Sequence, residues 1–197
     1  MTRRRLEGEK TKQHIAEKAT ELFALKGYAA TSIEDICKAA DASKGSLYYH
    51  FTNKEQLFLY LLEKNHQDWI EKWERYSAPH PTAVEKLYAL ADFFVDDFLS
   101  HPLKKAVEEF SGSKLADPEI LQQVITLAQD FHRVYIPIFE LGIRNGELEA
   151  DDPDVLSYLL EGFLSGVCST AYYDKPDQLH SVMRKSVDVF IKGIGKK

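Results

Sequence analysis

Cysteine is scarce: Cys37 and Cys168 are the only two in 197 residues, too few for a disulfide framework. Each lies in an apolar helical pattern, so two buried thiols in a reducing compartment, the cytoplasm, are expected. Long apolar runs are missing too, and none approaches the ~18 residues of a bilayer-spanning helix. No membrane is expected as a partner. The basic start, Met1-Thr2-Arg3-Arg4-Arg5, has no apolar stretch behind it and is not expected to be a secretory signal. The ten glycines form no phosphate-cradling loop and no G-x-S-x-G elbow. The seven histidines include no HExxH and no close pair, and Glu108 and Glu109, being adjacent, diverge on a helix. No catalytic residue, metal site or cofactor is expected, and the chain does not read as an enzyme.

What is present is helical. Hydrophobic residues make up 44% and charged residues 28%, enough for a substantial core under a solvated surface. The net charge of −6 taken whole argues against nucleic acid, but its distribution argues otherwise. Residues 1–55 carry 10 Lys+Arg and 8 Asp+Glu, against 15 and 23 in residues 56–197. A duplex binder needs a local basic footprint, not a basic whole.

The first helix is expected over about Glu9 to Lys26, with Ile15, Ala19, Leu22 and Phe23 on one face and Gly27 as its stop. Ser32 and Asp35 resemble a capping box for a second, short helix. Ser43 caps a third, so residues 31–50 read as a helix-turn-helix. Asn53 caps a fourth, running to about Tyr76 and long enough to bridge two domains. Pro79 and Pro81 break it. A fifth helix follows from Thr82 and a sixth over about Leu103 to Gly112. A long seventh starts at Asp117-Pro118, and Pro137 is expected to kink it without ending it. Asp152-Pro153 repeats that Asp-Pro signal before an eighth, about Asp154 to Tyr173, and the ninth spans about Asp177 to Ile194. The fold class is all-α, about nine helices, with no credible strand.

The third helix is too polar for a core element. Leu47 and Phe51 are its buried positions. A recognition helix enters the major groove with its N-terminal residues at the bases while its neighbours hold phosphates. Lys44 brings charge, Gly45 lets the backbone approach, and Ser46 offers a hydroxyl; Tyr48, Tyr49, His50 and Lys54 can donate to phosphate oxygens. Tyr49 stands open between base reader and phosphate grip. The Arg3–Arg5 arm is either a minor-groove reader or a solvated tail.

A linked set of residues then makes the resemblance specific. It comprises Ala19-Leu22-Phe23, Gly27-Tyr28, Thr31-Ser32, Ile36, Ala39-Ala40, Ser43 through Phe51, and Lys54-Glu55-Leu57-Phe58. Over Thr11 to Leu57 the chain resembles the DNA-binding domain of the TetR family of bacterial transcriptional repressors. Asp41 and Ala42 depart from the Gly and Val usual in the family's turn, and Asp tolerates the left-handed backbone such a turn needs. The resemblance implies a three-helix head over residues 8–68 and a larger ligand-binding and dimerisation domain over 69–197. It places the DNA-facing set on Ser32, Ser43, Lys44, Gly45, Ser46, Tyr48, Tyr49, His50 and Lys54.

The same resemblance, closest to the multidrug-sensing branch through Trp69 and Trp73, implies a small-molecule pocket. Candidate lining residues are His66, Trp69, Trp73, Phe98, Glu108, Phe131 and Tyr135, each with ordinary core packing as its alternative. Glu108 and Glu109 are the candidate acids for a cationic ligand, but the fifth and seventh helices are apolar where such acids would stand, so an aromatic or apolar effector is expected at least as much as a cationic one. A homodimer through the last two helices is implied, with Gly162, Ser165, Gly166 and Ser169 allowing close approach. The function implied is a repressor released from a palindromic DNA operator by its effector. The alternatives are a ligand-dependent activator, or a helical ligand- or partner-binding protein without DNA function.

Overall fold

The computed structural model describes residues 3–112 and 117–194; the side chains of residues 3–5, 128 and 129 are outside that set, and with them the expectation for the arginine arm. Helices account for nearly all of the described chain, and no β-strand occurs among the described residues. The order is α1 (Arg3–Lys26), α2 (Ile33–Ala39), α3 (Lys44–His50), α4 (Lys54–Ser77), α5 (Ala83–Ser100), α6 (Lys104–Ser111), α7 (Pro118–Gln129), α8 (Ile136–Asn145), α9 (Pro153–Asp174) and α10 (Leu179–Ile194). A 3-10 segment, Asp130–Tyr135, joins α7 to α8. Counted as one interrupted helix, that stretch gives the nine expected.

The interruption is where the chain departs from the sequence pattern. Pro137 stands in the first turn of α8, whose N-cap is Tyr135, rather than in the middle of a kinked helix. The physical reason is the missing N–H. In a first turn that donor has no intrahelical acceptor anyway, so proline opens a helix more cheaply than it bends one. α1 also begins earlier than expected, at Arg3.

Contacts divide the chain into two compact units, one of residues Met1–His66 with His101–Leu127, the other of Gln67–Ser100 with Ala128–Lys197. Sequence reading drew a single boundary near residue 68; the segment 101–127 packs with the first helices. Phe110 of α6 lies 4.9 Å from the Tyr28 ring and 5.2 Å from that of Phe58, completing an aromatic cluster begun by Phe23. Ile15, Ala19, Phe23, Ile36, Leu47, Leu57 and Phe58 form the rest of that core, all buried.

Gly27 shows why α1 ends where it does. Its φ is +84°, and a Cβ there would stand 2.2 Å from a carboxylate oxygen of Glu109. That carboxylate accepts the Ala29 N–H at 3.0 Å. A side chain at Gly27 would meet both backbone strain and the acid of α6.

The second unit is built on α5, α8, α9 and α10, with the second half of α4. Trp69, Leu87, Leu90, Phe93, Tyr135, Phe139, Leu160, Leu164 and Met183 are buried in its core. Cys168 belongs to it and Cys37 to the first unit; both are buried free thiols, and burial pushes the Cys37 thiol above its ordinary range.

Candidate nucleic-acid interface and effector region

α2 and α3 are seven residues each, too short to persist alone, so their ends must be fixed locally. The Ser32 hydroxyl oxygen accepts the Asp35 N–H at 3.1 Å, and the Asp35 carboxylate accepts the Ser32 N–H at 3.2 Å. Both halves of the expected capping box are therefore made. The turn passes through Asp41 at φ +47°, the left-handed conformation its sequence position called for, and the Ala42 N–H donates to Cys37 O at 2.9 Å. Ser43 then caps α3 by accepting the Ser46 N–H at 3.0 Å.

The capping box has a pH signature. The Ser32 N–H bonded to it holds the Asp35 carboxyl below the usual carboxylate range, with the Ser32 hydroxyl and Lys26 adding to the effect. The folded state thus favours the charged form. The stabilisation is present above about pH 4, the ordinary aspartate value, and is lost as pH falls through the lower folded value. Asp35→Asn is expected to lower the melting temperature at pH 7, with the gap to wild type closing toward pH 2.

These caps present one face of α3 to solvent. Leu47 is fully buried, while Tyr49 is 83% and Tyr48 50% exposed. Lys44 and Gly45 are exposed, and Ser46 and His50 are half-buried. The Tyr49 and His50 rings meet edge to face at 5.0 Å. Ser43 uses an oxygen lone pair for its cap, which leaves its hydroxyl proton available to another acceptor, whereas the Ser32 hydroxyl is engaged with the Asp35 carboxylate.

Two of the basic groups are engaged within the head. Lys44 Nζ donates to Glu34 Oε1, joining the first residue of α3 to the second of α2. That hydrogen bond holds the Glu34 carboxyl below and the Lys44 ammonium above their ordinary ranges. Lys54 turns inward. Its ammonium donates to Tyr28 O and Thr31 O, each at 3.0 Å, and sits 4.1 Å from the Tyr28 ring centroid. Burial lowers its pKa accordingly, and pushes that of Tyr28 up beyond its usual range. Two of the three ammonium protons of Lys54 thus tie the α1–α2 loop to the start of α4.

The seven expected effector residues are divided between the two units. Trp69, Trp73, Phe98, Phe131 and Tyr135 fall in the second unit; His66 and Glu108 fall in the first, Glu108 exposed on α6. Trp69 is the hub, with Phe131 at 5.0 Å, Phe93 at 5.2 Å and Tyr135 at 6.4 Å, all edge to face. Trp73 meets Phe93 at 5.5 Å. Phe98 packs against the same core and meets Tyr172 at 5.4 Å. A cleft of 370 Å³ opens beside Trp73, between Ile70, Val134, Pro137 and Ile138, with Glu74 and Lys86 at its polar side.

Sequence reading missed Glu161. Tyr135, fully buried, donates its hydroxyl to Glu161 Oε2 at 2.8 Å, and Ser165 donates to Oε1 at 2.6 Å. Burial, then the Glu161 charge, raises the Tyr135 pKa well above its normal value. The phenol stays a donor. The only signal in the sequence is the i, i+4 spacing of Glu161 and Ser165 within an otherwise apolar α9 face.

Two short capped helices around a tight left-handed turn, the second offering lysine, glycine and tyrosines to solvent, define a helix-turn-helix DNA-binding head. The comparisons agree. Residues 15–61 match the family described as bacterial regulatory proteins, tetR family, and residues 65–196 match the QacR-like protein C-terminal region. The chain belongs to the TetR family of transcriptional regulators. It is 30% identical over 185 residues to the HTH-type transcriptional regulator QacR of Staphylococcus aureus, covering 94% of this chain and 98% of that one. It is 31% identical over 122 residues to the negative transcriptional regulator IcaR of the Staphylococcus epidermidis biofilm operon icaADBC, covering 60% and 65%. A putative TetR-family regulator from Mesorhizobium loti has the same fold, with a TM-score of 0.81 at 21% identity over the whole of both chains. FadR of Bacillus subtilis, solved in complex with stearoyl-CoA, matches at a TM-score of 0.73 and 22% identity, covering 92% and 98%. The family and these relatives are regulators, not enzymes. No described helix is long and apolar enough to cross a membrane.

Proposed function

We propose that this regulator is a repressor that binds a palindromic operator as a homodimer and is released by an aromatic or apolar small molecule. The observation that carries the reading is the division of α3, with Leu47 wholly inside and Lys44, Gly45, Tyr48 and Tyr49 outside at the end of a capped turn. That face offers charge and a bare backbone at the helix start, where bases are read, and hydroxyls toward its end, where phosphates are held. Ser32, Ser43, Ser46 and His50 complete the proposed contact set, and Lys54, two of whose ammonium protons are held inside the head, keeps one for a phosphate.

The dimer reading draws support from α9 and α10. Gly162 and Gly166 are exposed, and among the described residues a Cβ at either would meet nothing within 4 Å. Val155, Tyr158, Leu159 and Val189 are also exposed, an apolar surface that suits a second copy of the same helices. For the effector, the Trp69–Phe131–Tyr135 rings and the neighbouring cleft supply an aromatic wall with few polar groups. A ligand that prefers a conformation in which the two heads no longer match the operator shifts the population and frees the DNA. One with equal affinity for both states would do nothing.

A mobility-shift assay against the DNA flanking the gene, and against a random palindrome library, tests the reading. A salt-sensitive shift with half-sites about 34–36 Å apart is expected. Lys44→Ala should weaken binding about tenfold and relax base preference, with the melting temperature unchanged. No shift on any duplex would rule out the repressor.

A further inference from the structure

Glu34 has no part in the sequence-derived DNA contact set, yet it occupies the same place as Lys44. It stands in the first turn of α2, and its carboxylate accepts from the ammonium that opens α3. Both side chains are more than half exposed, 64% and 57%. The neighbouring acid, Asp35, is committed to the cap and lies 3.4 Å from Lys26, whereas Glu34 takes no part in the cap. An acceptor and a donor are thus held side by side, open to solvent, at the end of the helix that enters the groove.

A G·C pair offers the complement of that arrangement. In the major groove guanine shows two acceptors, N7 and O6, and cytosine shows the N4 amino donor, and lysine and glutamate are the side chains that match them. We propose that Glu34 and Lys44 together read one G·C pair in each half-site, which makes Glu34 a specificity-determining residue. The inference rests on the repressor reading above. On a duplex without that pair, Lys44 leaves its carboxylate for a phosphate, and Glu34 is left facing acceptors and backbone charge. A carboxylate on a DNA-facing surface is thereby useful: it attracts the right base and repels the wrong site.

The test uses the full-length protein, a duplex selected by wild type from a random palindrome library, its single-base-pair variants, and a scrambled duplex of equal length. Wild type should lose about tenfold in affinity or more when the G·C pair at one symmetric position becomes A·T. Glu34→Gln should reduce that discrimination to about threefold or less and bind the scrambled duplex more tightly than wild type. Lys44→Gln should lose discrimination at the same position or the adjacent one. Circular dichroism melts within about a degree of wild type would exclude misfolding, as expected for two exposed positions. Undiminished base preference in Glu34→Gln, or a Lys44→Gln effect mapping more than one base pair away, overturns the pair as a reader. A wild-type site without G·C at any position overturns it too, while leaving the repressor intact. Failure of wild type to select any palindrome removes both.

Discussion

Leu47→Ala is expected to cost about 2–5 kcal/mol of folding stability, the usual range for a fully buried leucine. Leu47 has no exposed surface and belongs to the cluster that includes Ile36, Phe51 and Leu57. α3 has no other buried residue, so this one side chain anchors the recognition helix. Against a typical domain stability of about 5–15 kcal/mol, the loss is a large fraction of the total. Urea unfolding measures the cost directly. DNA binding should fall with it, and should recover in part on cooling or on adding excess operator duplex, because a ligand that binds only the folded state stabilises it. Lys44→Ala, one turn away, should show the reverse pattern of weak binding with intact stability. If Leu47→Ala left the urea midpoint unchanged while abolishing the shift, Leu47 would be a contact residue and the two faces of α3 would be wrongly assigned.

Trp69→Ala is the second large effect, about 3–5 kcal/mol. The indole is 4% exposed and touches the rings of Phe93, Phe131 and Tyr135, so its removal opens a cavity that three rigid aromatics cannot collapse to fill. Trp69→Phe keeps a ring at the hub and should cost less than half as much. The same pair of variants separates core from pocket. Trp69 and Trp73 are the only tryptophans, so in a Trp73→Phe background the fluorescence of Trp69 alone reports on any bound effector. An effector that touches Trp69 quenches or shifts that emission and loses affinity in Trp69→Phe. An effector that leaves both unchanged assigns Trp69 to the core alone.

The sequence was most legible where structure is set by near neighbours. Ser32, Ser43, Asn53, Asp117 and Asp152 cap the helices expected of them, because a cap is decided within three residues. Asp41 was legible for the same reason. The features that escaped are long-range ones. Nothing local distinguishes Phe110 as a partner of Tyr28, more than 80 positions away, and so the return of residues 101–127 to the first unit could not be read. Helical phase runs unbroken through Asp130–Tyr135, and phase does not reveal whether a proline bends one helix or starts the next. Lys54 and Glu161 belong to the same class. Their side chains are long, and whether such a chain points outward or folds back onto carbonyls and hydroxyls depends on elements that meet it only after folding.

α3 has one further consequence, for how such a protein diversifies. It is seven residues long, its start is fixed by Ser43 from outside, and Leu47 is its single buried position. Lys44, Gly45, Tyr48 and Tyr49, four of its seven positions, are exposed and can change with little effect on the core, since exposed substitutions usually shift stability by no more than about 0.5 kcal/mol. A gene copy could drift toward a new operator through several single steps, each leaving a folded protein. Vocabulary and scaffold are carried by different atoms of the same two turns.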